Sequence, residues 1–220
     1  MNIVITGTSR GIGKTVAERF LSLGHTVYGI DLLPAGIVDE RYFHTVADVR
    51  RPETLPDIPD AAVLFCNAGT QNGENDIESN LVGAMNVAEK YVGSPALRSV
   101  LFNASASAAT GQEFPAYAAS KAGVVGYMKN LAIRLAPRGV TVNAVSPGGV
   151  LTESNAPVTE NPALWERILS VTPLKKWATS DEIADWVIFL TLTNRSMSGQ
   201  DLLIDNGEKD LNPTFVWTER

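Results

Sequence analysis

Short runs rich in Val, Ile and Leu alternate along the whole chain with longer stretches of helical period. A brief apolar run bounded by turn formers predicts a buried strand, whereas apolar positions recurring at i, i+3 and i+4 predict a helix packed on one face. Strands are predicted over Asn2–Thr6, Thr26–Asp31, Tyr42–Ala47, Ala62–Asn67, Val100–Ser105, Thr141–Ser146 and Gln200–Ile204. Helices are predicted over Lys14–Leu23, Ile77–Val92, Ala116–Leu135 and Asp181–Thr191, with a broken helical stretch at Ala163–Val171. Gly24 and Gly139 stand where such helices stop, because a left-handed residue closes the last turn.

Strands alternating with helices make an α/β chain in which crossover helices join parallel strands. The expected architecture is a Rossmann-like, doubly wound, seven-stranded parallel sheet forming a single domain over residues 1–220. From Leu32 to Phe43, and again from Arg50 to Asp60, prolines and scattered charges replace any sustained helical repeat. The crossovers after strands 2 and 3 are therefore expected to be shortened or irregular. No internal repeat or low-complexity segment is present, and the tail from Asn212 to Arg220 carries Phe215 and Trp217 without a clear element.

Composition narrows the class. Apolar residues make up 45% of the 220-residue chain and charged ones 19%, as in a single globular domain with a substantial core. The net charge of −6 comes from interspersed acids and bases, so no basic stripe points to nucleic acid. No apolar run is long enough to span a membrane, and Ile3–Ile5 is too short for a signal segment; a cytoplasmic location is the expectation. The single cysteine, Cys66, has no intrachain partner and no zinc-ligand spacing around it, so no metal is expected and Cys66 reads as a small buried strand residue.

The first strand runs straight into Thr6-Gly7-Thr8-Ser9-Arg10-Gly11-Ile12-Gly13, and a helical pattern opens immediately afterwards. Glycines there permit a tight turn and a close backbone approach to a pyrophosphate, with the N–H groups of the helix N-terminus facing the anion. Alone, the motif is an ordinary strand-to-helix turn; between a strand and a helix it predicts dinucleotide binding. The second strand ends at Asp31, whose carboxylate can accept hydrogen bonds from ribose hydroxyls and repels a 2′-phosphate, favouring NAD. Arg10, inside the loop, offers a charge to a 2′-phosphate and keeps NADP open.

Together, Thr6-Gly-x-x-x-Gly11-x-Gly13, Asn67-Ala68-Gly69, Tyr117-x-x-x-Lys121 and Pro147-Gly148-x-Val150-x-Thr152 resemble, in order and over nearly the whole chain, the short-chain dehydrogenase/reductase family. The resemblance implies a Ser, Tyr, Lys and Asn constellation, bound NAD(H) or NADP(H), and hydride transfer between the nicotinamide ring and an alcohol or carbonyl. Tyr117 and Lys121 lie at i and i+4, so both project from one helix face. For Tyr117 to act as general base its pKa must fall well below the usual ~10, and a neighbouring ammonium and an oxidised nicotinamide both favour that fall. Lys121 would also hold the nicotinamide ribose.

The family's serine matches Ser105 or Ser107; Ser105 lies nearer the usual separation from Tyr117 and is favoured, with Ser107 its rival. Asn80 matches the helical asparagine to which the family assigns a water linking the lysine to solvent. By the same resemblance Asn67, Ala68 and Gly69 pass under the adenosine ribose, Asp48 and Val49 contact adenine, and Pro147, Val150 and Thr152 face the carboxamide. The chain departs from the pattern at Cys66, where an asparagine is usual, and in the short intervals Asp48–Asn67 and Asn67–Asn80, so the crossover after strand 4 is also expected to be trimmed. Residues 153–176 fall where the family has its substrate lid, with Leu164 and Trp165 as apolar contact candidates. Ala118, Ala119, Ala122, Gly123 and Gly126 would let the Tyr117 helix meet a second copy in a homodimer or homotetramer. A non-catalytic dinucleotide-binding sensor and a purely structural subunit are the competing readings, because a fold alone does not specify function.

Overall fold

The structure, a computed structural model, describes residues 1–209 and Leu211, so the tail from Asn212 to Arg220 lies outside the described residues. Its strands are β1 (Asn2–Thr6), β2 (Thr26–Asp31), β3 (Tyr42–Val46), β4 (Ala61–Cys66), β5 (Ser99–Asn103) and β6 (Thr141–Pro147), then the short β7 (Val150–Leu151) and β8 (Ala178–Thr179), and last β9 (Asp201–Ile204). Seven of them form one parallel sheet in the order β3-β2-β1-β4-β5-β6-β9, while β7 and β8 pair separately. The helices are α1 (Gly11–Ser22), α2 (Gly83–Tyr91), α3 (Ser107–Thr110), α4 (Pro115–Leu135), α5 (Ala156–Thr159), α6 (Pro162–Val171) and α7 (Ser180–Ile188).

The alternating side chains of the strands build two core layers. On one face Val16 and Phe20 of α1 and Ile183 and Val187 of α7 pack over Ile3, Ile5, Val63 and Phe65. On the other, Val87 of α2 and Met128 and Leu131 of α4 pack over Val4, Leu64 and Phe102. All of β4 is buried, as expected of a strand covered on both faces. Each fully buried side chain of this size contributes about 1.5–3 kcal/mol relative to exposure. Cys66 belongs to the α2/α4 layer, and burial pushes its thiol pKa up, which leaves it inert.

Element ends stay within three residues of the sequence reading, and three details differ in kind. α1 starts at Gly11, because the Gly-rich loop closes directly into the helix. The helix expected from Ile77 opens with a π-helical turn over Ile77–Val82, and a second π turn over Phe189–Thr193 extends α7. The two-residue strands β7 and β8 and the four-residue α3 are too short to impose a period. Gly24 and Gly139 do stop their helices, at φ +82° and +69°.

Residues 32–41, between β2 and β3, form no helix, and β3 reaches β4 with only a 3-10 turn at Pro52–Thr54. The first of these crossovers folds back on the Gly-rich loop: Ser9 Oγ donates to the Pro34 carbonyl at 2.9 Å, and Tyr42 Oη donates to Thr8 Oγ1 at 2.8 Å. Strand order reverses at β1, with β2 on one side and β4 on the other, and the crevice beyond the C-terminal ends of these strands is where such sheets bind ligands.

Candidate active site

At β1 the chain turns through Gly7 at φ +76° and enters α1 through Gly11 at φ +55°. A Cβ on Gly13 would lie 2.0 Å from the Gly7 carbonyl oxygen, and one on Gly7 would lie 2.8 Å from Asn67 Nδ2, so the loop is closed tightly against the end of β4. Arg10, extended at the N-cap of α1, offers no side-chain cap to the first-turn N–H groups. These orphan donors, with the helix dipole behind them, suit an anion such as a pyrophosphate.

Asp31 at the end of β2 is held by both oxygens: Ser9 N–H donates to Oδ2 at 2.9 Å and Leu33 N–H to Oδ1 at 3.0 Å. Beyond β4, Thr6 Oγ1 accepts from the N–H groups of Asn67 and Ala68, both at 3.0 Å, and Asn67 Nδ2 donates to the Thr6 carbonyl at 3.0 Å. Asn103 Nδ2 donates to Asn67 Oδ1 at 2.9 Å, so the ends of β1, β4 and β5 are tied together although Cys66 stands where the family's asparagine would. Asn103 was not foreseen; in sequence it is one polar residue ending an apolar strand.

A cavity of about 650 Å³ opens beside this crevice, and Arg10, Ile12, Asn67 and Gly69 share its wall with Ser105, Ser107, Tyr117, Lys121, Pro147, Val150 and Thr152. α4 delivers Tyr117 and Lys121 from successive turns, with the Lys121 ammonium 5.6 Å from the Tyr117 ring centre. Lys121 is buried and donates from Nζ to the Asn103 carbonyl at 2.7 Å. Ser107 Oγ donates to Ser105 Oγ at 3.0 Å, and Ser105 in turn bonds the Tyr117 phenol, so both serines belong to one chain of hydroxyls with Ser105 next to the tyrosine.

The electrostatics depart from the sequence expectation. Burial pushes the Tyr117 phenol up to about 12; the bond from Ser105 opposes this, and the charges of Glu113 and Asp76 reinforce it. Burial brings Lys121 down to about 8, and the same two carboxylates oppose that fall. The Tyr117 phenol is therefore raised and not depressed here, because burial of the phenol dominates its balance. At neutral pH the phenol carries its proton.

Several expected positions stand back from the cavity. Gly7, Ser9, Gly11, Gly13, Asp31 and Ala68 shape the neighbouring crevice instead of the cavity wall. Asp48 is clamped by Arg50, whose guanidinium holds its carboxyl below the usual range, and Val49 is pressed into the core against Gly83. Asn80 is buried under the loop after β4: its Oδ1 accepts from Thr70 N–H at 2.7 Å, and its Nδ2 donates to the Thr70 carbonyl and to Ser120 Oγ, both at 2.9 Å. Leu164 and Trp165 also miss the cavity; Trp165 stacks edge-on against Trp177 at 5.2 Å. Val158, Ile168 and Trp177 are the apolar groups that face it from the stretch after β7, positions that short broken helices conceal in sequence.

The enoyl-(acyl carrier protein) reductase family model matches residues 64–209. A 3-oxoacyl-(acyl-carrier-protein) reductase of Buchnera aphidicola is 27% identical, with 92% of this chain and 95% of the relative covered. The (+)-borneol dehydrogenase 1 of Salvia officinalis is 30% identical, covering 96% of this chain and 94% of its own. Among solved structures, an oxidoreductase of the short-chain dehydrogenase/reductase family from Burkholderia thailandensis superposes with a TM-score of 0.87 at 29% identity, covering 94% of this chain and 92% of that one. No helix among the described residues is long and apolar enough to cross a membrane. With the Gly-rich turn, the hydroxyl chain and the Tyr–Lys pair in one crevice, these likenesses establish that the chain belongs to the short-chain dehydrogenase/reductase family of NAD(P)-dependent oxidoreductases, which act on CH–OH or carbonyl groups.

Proposed function

We propose that Tyr117 is the acid/base of this oxidoreductase, with Ser105 stabilising charge on the substrate oxygen and Lys121 orienting the cofactor. The observation that carries the reading is that Ser105, Tyr117 and Lys121 share one cavity wall with Asn67, Pro147 and Thr152. When bound, a nicotinamide cofactor supplies or takes up the hydride. In carbonyl reduction Tyr117 donates its proton to the substrate oxygen, a role that its raised pKa supports at neutral pH. In alcohol oxidation Tyr117 must accept that proton, which asks for positive charge nearby to favour phenolate. Asn80 supports the loop after β4 beneath the Lys121 side chain: a Cβ on Gly69 would lie 2.6 Å from Asn80 Oδ1 and 3.6 Å from Lys121 Nζ. Pro147, Val150 and Thr152 fit a role in seating the carboxamide. A panel of alcohols and ketones followed by NADH absorbance at ~340 nm tests the reaction class.

NAD is the preferred cofactor in this reading. Asp31 is pinned at the end of β2 by Ser9 and Leu33; a carboxylate there can accept from ribose hydroxyls, and its charge repels a 2′-phosphate. Asp31→Ala is expected to narrow the ratio of kcat/KM for NAD over NADP by about tenfold, the equivalent of ~1.4 kcal/mol. An unchanged ratio removes Asp31 as the determinant and leaves Arg10 as the group to test.

The enzyme is further proposed to assemble as a homodimer or homotetramer through α4. Ala119, Ala122 and Gly126 are exposed, and a Cβ on Gly126 would meet nothing within 4 Å. Gly123, by contrast, is taken up against Leu81. Sedimentation is expected to show a dimer or tetramer that Ala122→Arg dissociates; a monomeric parent protein contradicts the assignment.

A further inference from the structure

Lys121 is buried at 4% exposure, and its one hydrogen-bond acceptor among the described residues is neutral, the Asn103 carbonyl. An ammonium in that position loses hydration without gaining an ion pair, which drives it toward the neutral amine unless interior charge opposes the change. The acidic side chains whose charge reaches it are Glu113, from the loop ahead of α4, and Asp76, from the loop ahead of the Ile77–Val82 turn; β5 presents only the carbonyl.

The two carboxylates are placed differently. Glu113 stands at the cavity mouth, exposed, and accepts from Gln71 Nε2 at 2.7 Å. Asp76 is 2% exposed. Its Oδ1 accepts from Thr70 Oγ1 at 2.7 Å and from Gly73 N–H at 3.1 Å, while its Oδ2 is buried without a partner among the described residues. Leaving a carboxylate oxygen buried and unpaired is unfavourable, so the fold holds this group for something other than its two hydrogen bonds. Thr70, which anchors Asp76, is also gripped by Asn80, whose Nδ2 bonds Ser120 on α4 next to Lys121. The anchoring is local: Asp76 and Thr70 both lie in the shortened stretch between β4 and α2.

We propose that Asp76 is a positioning residue of the reaction: its buried charge holds Lys121 in the ammonium form and so sets the alkaline limit of activity. The inference rests on the reading of Tyr117 and Lys121 as the working pair. Burial pulls Lys121 down and the charges of Glu113 and Asp76 pull it back up, and the balance of the three leaves it at about 8. The sign for Tyr117 agrees, since the Asp76 charge raises its pKa and keeps the phenol protonated for carbonyl reduction. Removing the charge lowers both values, so the active form, with both groups protonated, gives way at lower pH.

The test is the pH profile of kcat/KM for carbonyl reduction in Asp76→Asn, which keeps an Oδ1 acceptor for Thr70 and Gly73 while removing the charge. The alkaline limb is expected to move to lower pH by about one unit, the lower end of what a single interior charge produces. Asp76→Glu is expected to bring it back toward the parent position. An unmoved limb, or a fall by the same factor at every pH, overturns the proposal, the second outcome being that of a merely structural residue. Should the Asn variant not fold, the ¹³C shift of the Asp76 carboxyl in the parent protein decides: ionised from pH 6 to 9 supports the proposal, protonated at pH 7 overturns it. Tyr117→Phe is assayed alongside. Normal turnover there discards the reading of the working pair, whereas lost turnover with an unmoved Asp76→Asn limb discards Asp76 alone.

Discussion

Tyr117→Phe is expected to lower turnover by a factor of about 10²–10⁴, the range general acid–base groups contribute, with cofactor affinity nearly unchanged. The substitution keeps the ring that stands 5.6 Å from the Lys121 ammonium and removes only the hydroxyl that Ser105 bonds. The phenol oxygen is the proton donor of the proposed mechanism, and no other group in the hydroxyl chain can replace it at similar strength. Ser105 and Ser107 are aliphatic alcohols, and Lys121 is turned toward the Asn103 carbonyl. Cofactor titration by nicotinamide fluorescence separates chemistry from binding. Near-normal turnover with intact binding would eliminate Tyr117 as the acid/base.

The second large effect is expected from Gly13→Ala. The added methyl would lie 2.0 Å from the Gly7 carbonyl oxygen and 2.5 Å from Asn67 Nδ2, and a backbone oxygen cannot swing aside as a side-chain terminus can. The turn must open, which strains the bonds from Asn67 Nδ2 to the carbonyls of Thr6 and Gly7. Overpacking of this kind costs about 1–3 kcal/mol, and each kcal/mol lowers Tm by roughly 2–4 °C in a chain of this size. Because the same turn aims the α1 N–H groups, cofactor Kd is expected to rise more than tenfold, about 1.4 kcal/mol. Gly93→Ala, at a site with nothing within 4 Å of the new carbon, serves as the control and should change neither quantity appreciably. A Gly13→Ala protein with parental Tm and Kd would show that the loop relaxes without loss.

The strands were legible because each is a contiguous apolar run between turn formers, and β1 and β2 match their predicted bounds residue for residue. Tyr117 and Lys121 were legible because a helix places i and i+4 on one face whatever surrounds it. Leu164 and Trp165 lie off the cavity wall, whereas Val158, Ile168 and Trp177 line it, a distinction hidden in sequence because burial and cavity exposure leave the same apolar trace. Asn80 was recognised by position, but its bonds to Thr70 and Ser120 depend on how the loop after β4 folds. Asp76 carried no signal at all, one acid among several near Glu74 and Glu78.

The sequence by itself determined the class of fold, the Gly-rich turn and the family, and it supplied the side chains proposed to react, because these rest on local period, spacing and residue chemistry. Tertiary structure alone decided the charge states. Burial, which depends on every neighbouring element, raises Tyr117, lowers Lys121 and brings Asp76, from another part of the chain, and Glu113 to bear on both. Charge in a low-dielectric interior acts across gaps that no linear spacing records.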